Sequence, residues 1–150
     1  MSGHTLGDSS LFMPEEAVSR AMNFLEGAYS ICMMSSRKMI AARDPQGFRP
    51  LCYGRTPDGS WVVASESCAL HAVGAVFERD IEPGEILVFT ENGVVSRIEH
   101  CKRMPKKFCV FEYIYFARPD SVIDGQSVHY ARQEAGKCLA TMAERESLSP

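Results

Sequence analysis

The spacing of apolar residues along the chain is helical at both ends and strand-like in the middle. After Pro14, apolar positions recur every three or four residues up to Leu25, and Gly27 then provides a stop. Between residues 29 and 89, short apolar runs alternate with turn-forming residues, which is typical of strands joined by hairpins. Helical spacing returns over residues 127–145. The pattern therefore predicts an α+β layered fold with an antiparallel sheet.

Turn signals in the middle of the chain set the boundaries of the predicted strands. Asn92-Gly93, between two apolar runs, is the strongest hairpin signal. Asp44-Pro-Gln-Gly47 and Thr56-Pro-Asp-Gly59 place proline and glycine where tight turns need them. Ser65 is placed to cap a short helix, which Gly74 would end. The predicted strands cover residues 29–34, 38–42, 51–53, 61–64, 76–77 and 85–89.

Composition limits the classes of function. The chain has 150 residues, enough for one core, and its net charge of −3 provides no electrostatic footprint for nucleic acid. No apolar run approaches the roughly 20 residues that span a bilayer. Six cysteines without a secretory signal indicate reduced thiols in a cytoplasmic protein. We therefore expect a domain that binds neither nucleic acid nor membranes.

The corner that begins at Asp44 has a structural interpretation. Its prolines reduce the freedom of the unfolded chain, and Gly47 permits a backbone conformation that other residues resist. Arg43, Asp44 or Arg49 would then pair locally within the corner. The corner contains neither a nucleophile nor a proton-transfer pair, so the residues alone predict a rigid connection between two strands.

Three further groups of reactive side chains also have structural interpretations. Cys68 and His71 share one helix face, but a zinc site needs four ligands and a catalytic pair needs a third, orienting group. The basic residues between positions 100 and 107 are typical of a solvated connection. Ser2 would become an N-terminal nucleophile after removal of Met1, yet no apolar strand follows it. None of these groups predicts a catalytic centre.

Three longer motifs resemble one family of enzymes. They are Ala42-Arg-Asp-Pro-Gln-Gly-Phe-Arg-Pro-Leu-Cys-Tyr-Gly54, Val63-Ala-Ser-Glu-Ser-Cys-Ala-Leu70 and Phe108-Cys-Val-Phe-Glu-Tyr-Ile-Tyr-Phe-Ala-Arg-Pro-Asp-Ser121. In order and spacing they resemble the glutamine phosphoribosylpyrophosphate amidotransferases (amidophosphoribosyltransferases). In that family a glutaminase domain precedes a phosphoribosyltransferase domain. The resemblance covers roughly residues 14–145.

The resemblance implies how the chain is divided. Residues 1–13 would be a polar, flexible start, and residues 14–100 the C-terminal half of a glutaminase sandwich of the N-terminal-nucleophile class. Residues 101–107 would be a linker, and residues 108–150 an interdomain strand followed by the first phosphoribosyltransferase helix. The family's N-terminal cysteine and its phosphate-binding loop have no match in this sequence. The chain is therefore expected to be an internal fragment with no catalytic residue and no activity alone.

The same resemblance implies roles for three residues. Phe111 and Tyr115 match aromatic residues that line the family's ammonia passage, while their structural interpretation is core packing. The two interpretations are compatible, because an apolar wall keeps ammonia from being protonated in bulk water. Cys109 matches one of four thiolates that hold a [4Fe–4S] cluster in some members, although members without a cluster also have cysteine there. One cysteine cannot hold a cluster, so this role would require the intact protein.

The intact enzyme that the resemblance implies converts glutamine, phosphoribosyl pyrophosphate and water to 5-phosphoribosylamine, glutamate and pyrophosphate. This reaction belongs to purine synthesis, and magnesium would stabilise the pyrophosphate leaving group. The enzyme would be a cytoplasmic homo-oligomer, and the fragment alone would hold no cofactor. One alternative is a non-catalytic binding or assembly protein built from half of an amidotransferase. Asparagine-synthetase-like enzymes share the Arg-Asp-Pro-x-Gly string but lack the third motif.

Overall fold

The computed structural model describes residues 13–98, 101 and 104–147. Most of the predicted start, Ser2 and part of the predicted linker lie outside the described residues. In chain order the elements are α1 Pro14–Met22, β1 Ser30–Met34, β2 Met39–Arg43, β3 Cys52–Arg55, β4 Trp61–Ala64, α2 Ser67–Ala72, β5 Val76–Asp80, β6 Ile86–Thr90, β7 Gly93–Arg97, a π-helical turn at Glu112–Phe116, β8 Val122–Ile123, β9 Gln126–Ser127 and α3 Val128–Ser147.

The strands form two packed sheets and a separate hairpin. One sheet has the order β1-β2-β6-β7 and the other β4-β3-β5, while β8 pairs with β9. Every pair of neighbouring strands in the described residues is antiparallel. The predicted α+β fold with antiparallel sheets is therefore confirmed, as are the hairpin at Asn92-Gly93 and the strands on either side of it.

Alternate residues of β2 face different layers of the structure. Ile40 and Ala42 pack with Val18 of α1 on one side of the four-stranded sheet. Ala41, between them, packs with Leu51 next to the three-stranded sheet on the other side. Successive side chains of a strand point to opposite faces, so a run of small and apolar residues suits a strand that is covered on both sides. The four-stranded sheet thus lies between α1 and the second sheet.

The three-stranded sheet is also covered on both faces. Tyr53, Trp61 and Phe89 meet between the sheets, with ring centroids 5.3 to 6.1 Å apart in tilted and edge-on geometries. On the outer face, Leu70 of α2 is buried against Cys52 of β3. The order of layers is therefore helix, sheet, sheet, helix, and the described residues of this part share one sandwich.

Residues 108–116 do not form the predicted interdomain strand. The chain instead makes a helical turn that ends in a π-helical turn, where the Ala117 amide donates to the Glu112 carbonyl at 2.9 Å. The resemblance implied this strand, and the aromatic and β-branched composition of the run does not oppose one, but strand propensity is context-dependent. Here Arg132 of α3 donates to the carbonyls of Tyr113 and Ala117, each at 2.7 Å. These contacts satisfy carbonyls at the end of the turn and so favour the helical conformation.

The two end helices differ from their predicted apolar stripes. The first helix ends at Met22, so Leu25 is exposed rather than packed on the sheet. In α3, Val128 is buried, but Leu139 and Met142 of the predicted stripe are exposed. The helical spacing was therefore right, whereas Leu139 and Met142 are exposed and not buried. No helix in the described part of the chain is long and apolar enough to cross a membrane.

Candidate functional site

Arg43 is the centre of a buried polar cluster that joins the sheets to the chain beyond the predicted linker. Its side chain is 1% exposed, and all five of its N–H groups donate hydrogen bonds. Two reach the Asp124 carboxylate at 2.9 Å. The other three reach the carbonyls of Arg49, Gly47 and Ile81 at 2.8 Å. One guanidinium thus fixes the corner after β2, the connection after β5 and the β8–β9 turn.

Asp124 is the acidic partner in this cluster, and the sequence analysis missed it. It has a φ of +49° and precedes Gly125 with a φ of +79°, the combination that Asp-Gly provides in a tight hairpin. Burial alone would raise the pKa of Asp124, but hydrogen bonds from Arg43 and Lys106 outweigh burial and lower it. The carboxylate is therefore charged at neutral pH and bridges two cations. The Asp-Gly pair was a usable signal for the turn, though not for its partner.

A second polar contact joins the first motif to the third. Glu112 is buried, and its carboxylate accepts a hydrogen bond from Arg49 at 2.7 Å across 63 positions of sequence. The local pairing predicted for the corner is made by Asp44, which accepts from the Gln46 and Arg49 amides at 3.0 and 3.2 Å. The backbone amide of Arg49 therefore donates within the corner, whereas its side chain donates to the third motif. Its guanidinium also lies 5.8 Å from the ring centroid of Phe116.

The second motif contacts the third at the beginning of α2. The Glu66 carboxylate accepts from the Ser121 hydroxyl at 2.7 Å and from the Arg118 amide at 2.8 Å. The Ser67 hydroxyl accepts from the Val122 amide at 2.9 Å. The helix therefore begins after Glu66 rather than after the predicted cap, Ser65. Together with the bond from Arg49 to Glu112, these bonds connect all three motifs that resembled one family.

Phe111 and Tyr115 are not packed in a core. Their side chains are 58% and 77% exposed, so the core-packing interpretation is wrong for the described structure. Both rings instead touch Phe116, with centroids 6.5 and 5.5 Å away in edge-on geometry. Glu112 turns inward while these rings turn outward, because the π-helical turn separates the buried acid from its aromatic neighbours. The turn thus presents a row of three aromatic rings.

An open groove lies between the turn and α3. It has a volume of about 740 Å³ and is mostly apolar. Phe108 and Ile114 line one side, and Ala131 and Ala135 of α3 line the other. Among the described residues that line the groove, the charged ones are Lys106 and Asp124. Both belong to the Arg43 cluster. The groove therefore extends from the turn and α3 to the polar cluster, and the residues that line it do not include Cys109, Phe111 or Tyr115.

Cys109 lies at the base of the turn. Its carbonyl accepts from the Glu112 amide at 3.0 Å, and the half-buried residue lines a narrow cleft with Phe48 and Pro50. A [4Fe–4S] cluster needs four thiolates or equivalent ligands. In the part of the chain that the structure describes, no three His, Cys, Asp or Glu residues are grouped to hold a metal. The described residues do not fit a cluster by themselves, and we derive no chemistry from one.

The Cys-x-x-His pair also has a structural setting. The Cys68 thiol is half-buried and lies 3.6 Å from the Glu66 carboxylate, while His71 is exposed. All six cysteines of the chain are unpaired. In the structure the two residues are therefore a half-buried thiol and a surface histidine.

Comparison with known proteins places these features in one group of enzymes. Residues 3–72 match the family model of the glutamine amidotransferase domain. Amidophosphoribosyltransferases from Archaeoglobus fulgidus and Bacillus subtilis are 46% and 42% identical over 136 and 137 residues, covering 87% and 91% of this chain. The enzyme from Mycobacterium tuberculosis is 48% identical over 137 residues, or 91% of this chain. The chain spans only 25% to 29% of the length of these relatives.

Two solved structures share the fold. One, described as the allosteric regulatory enzyme of purine biosynthesis, superposes with a TM-score of 0.82 at 42% identity. It covers 89% of this chain, which corresponds to 28% of that structure. The other is the glutamine phosphoribosylpyrophosphate amidotransferase of B. subtilis complexed with ADP and GMP. Its TM-score is 0.81 at 43% identity, covering 89% of this chain and 29% of that one.

The layered antiparallel sheets and residues 3–72 are similar to the glutamine amidotransferase domain and to the two solved structures. Over about nine-tenths of its length, the chain is homologous to one segment of the amidophosphoribosyltransferases, the family that its three motifs resembled. The resemblance is therefore confirmed. The match begins at residue 3, upstream of the residue 14 at which the resemblance was expected to begin.

Proposed function

We propose that this chain provides the junction of an amidophosphoribosyltransferase, between glutamine hydrolysis and transfer to phosphoribosyl pyrophosphate. The main support is identity of 41% to 48% with amidophosphoribosyltransferases over most of the chain. The bonds from Arg49 to Glu112 and from Ser121 to Glu66 add a physical reason, because they join residues of the three motifs that carry the resemblance. The domain limits predicted from the sequence, 14–100 and 108–150 around a linker, remain part of this proposal.

The proposed reaction has two balanced steps. Water adds its hydroxyl to the side-chain acyl carbon of glutamine, and ammonia leaves with the remaining proton. The nitrogen lone pair of ammonia then forms a bond to C1 of phosphoribosyl pyrophosphate as the bond to pyrophosphate breaks. Magnesium on the pyrophosphate would stabilise the charge of the leaving group. We assign no catalytic group to this chain, and we expect the chain alone to lack glutaminase activity.

Within this function, Phe111 and Tyr115 are proposed to line the path that ammonia follows between the two reactions. Their exposed rings form an apolar row beside Phe116 and suit a wall that excludes water. Cys109 is proposed as a cluster ligand only in a protein that supplies three further ligands. Glutamine and phosphoribosyl pyrophosphate would be the substrates of the whole enzyme, which we propose to be a cytoplasmic homo-oligomer.

A chimera tests the proposed function directly. The segment of the B. subtilis amidophosphoribosyltransferase that matches this chain, 137 residues at 42% identity, would be replaced by the present sequence. We expect the folded chimera to form phosphoribosylamine from glutamine at a rate within about tenfold of the parent, equivalent to about 1.4 kcal/mol in the barrier. The measurement is coupled detection of glutamate and phosphoribosylamine.

The matched control is the same chimera with Glu112→Arg, which places two cations together in the Arg49 contact. We expect this variant to lose synthesis from glutamine. A folded, unmodified chimera without such synthesis would contradict the proposal. That result would favour the alternative, a binding or assembly protein derived from an amidotransferase half.

A further inference from the structure

The π-helical turn is held from two sides by two arginines that belong to different parts of the chain. Arg132 of α3 donates from Nε to the Tyr113 carbonyl and from Nη2 to the Ala117 carbonyl, each at 2.7 Å. On the other side, Arg49 of the corner after β2 donates to the Glu112 carboxylate at 2.7 Å. The turn therefore lies between a helix and the sandwich, with a charged contact to each.

The Arg132 contact depends on the shape of a guanidinium group. Two N–H groups of one planar side chain reach two carbonyls that are four residues apart in sequence. A lysine ammonium is a compact point charge and does not reproduce this fork. π-Helical turns are rare and need support from their surroundings. Arg132 thus provides a specific support for the conformation of the turn.

The conformation of the turn decides where its rings point. Phe111 and Tyr115 flank the turn and both contact Phe116, whose ring also lies near Arg49. A relaxed α-helical or extended segment would rotate these side chains relative to one another, because the rotation per residue would change. Displacement of Arg132 with α3 would therefore change the positions of the rings.

We propose that Arg132 is a positioning residue that links α3 to the orientation of the aromatic row. The proposal rests on the proposed function, in which that row lines the path of ammonia. Arg132 does not touch a reacting atom in this account. Its effect is on the retention of ammonia along the path and not on the release of ammonia from glutamine.

The first test uses the chain itself and does not depend on enzymatic activity. In the Arg132→Lys variant we expect chymotrypsin to cleave after Phe111, Tyr115 or Phe116 about tenfold faster, the loss of protection expected for one hydrogen bond to a charged group. The control is Arg118→Lys, an exposed arginine next to the same turn that pairs with Asp120. Equal cleavage rates in the two variants would overturn the proposal.

The second test uses the B. subtilis chimera and separates positioning from general destabilisation. With Arg132→Lys, the ratio of glutamate to phosphoribosylamine should rise about twofold or more. This change is smaller than the roughly tenfold change that the loss of one hydrogen bond to a charged group can cause. Synthesis from added ammonium should stay at the level of the unmodified chimera. An unchanged ratio, or an equal loss of both activities, would contradict the role of Arg132.

The two proposals fail in different ways. A folded, unmodified chimera that makes no phosphoribosylamine would contradict the proposed function, and the proteolysis result would still decide whether Arg132 holds the turn. An active chimera whose Arg132→Lys variant keeps the parental ratio would contradict only the positioning role.

Discussion

Replacing Arg43 by methionine is expected to lower the free energy of unfolding by about 3 kcal/mol or more, the usual cost of breaking a buried ion pair. The substitution removes five hydrogen bonds and leaves the Asp124 carboxylate with Lys106 as its remaining cation. The carbonyls of Gly47 and Ile81 would also lose their Arg43 donors. Urea unfolding followed by the fluorescence of Trp61, the single tryptophan, would measure the change.

Arg20→Met is the matched control, since Arg20 is exposed and pairs with exposed Glu16 at 3.5 Å. It should change the free energy of unfolding by no more than about 0.5 kcal/mol. Adding Asp124→Asn to Arg43→Met should recover part of the loss, because the double variant has no buried carboxylate that depends on Lys106 alone for its charge partner. A loss below about 1 kcal/mol for Arg43→Met would show that the cluster does not hold the β8–β9 turn on the sandwich.

Gly54→Ala is expected to have the second large effect, about 1 to 3 kcal/mol or more, because overpacking here meets backbone and not a flexible side chain. A Cβ at Gly54 would overlap the Val76 carbonyl oxygen and lie 3.1 Å from its carbon. The register between β3 and β5 shifts at this glycine, which allows the two strands to approach closely. Urea unfolding would report the loss.

Gly136→Ala makes the same chemical change at a second position, where we expect the free energy of unfolding to rise. Gly136 lies within α3, and a Cβ there would meet no atom within 4 Å. Alanine in a helix interior is better than glycine by about 0.5 to 1 kcal/mol, so this variant should be slightly more stable. If the Gly54→Ala variant were as stable as the Gly136→Ala variant, the result would contradict the close approach of β3 and β5 at Gly54.

The sandwich was predictable from the sequence because local signals determine it. The turns at Asp44, Thr56 and Asn92 combine residues that bend the backbone, and the runs between them are short and apolar. Strand boundaries consequently agree to within one residue at both ends of β1, β2, β4 and β6. The start of α2 was predicted one residue early. The residue before the helix is Glu66, whose carboxylate accepts a hydrogen bond from distant Ser121.

The contacts between the sandwich and residues 108–124 were less predictable, because the residues that make them are distant in sequence. Glu112 finds Arg49 across 63 positions, and Arg43 finds Asp124 across 81. Hydrophobic periodicity contains no information about such pairs. The aromatic run was expected to be a strand because of the family resemblance, whereas Arg132 donates to backbone carbonyls of a helical turn. The resemblance grouped the three motifs, and the structure supplies the physical contacts between them.

Amide hydrogen exchange on the chain is the most direct measurement of whether the third motif is held on the sandwich. The Arg118 and Val122 amides donate to side chains at the beginning of α2, at 2.8 and 2.9 Å. We expect both amides to exchange as slowly as those of β2 and β6, since global unfolding would be needed to expose them. Rapid exchange at Arg118 and Val122, with β2 and β6 still protected, would contradict the account.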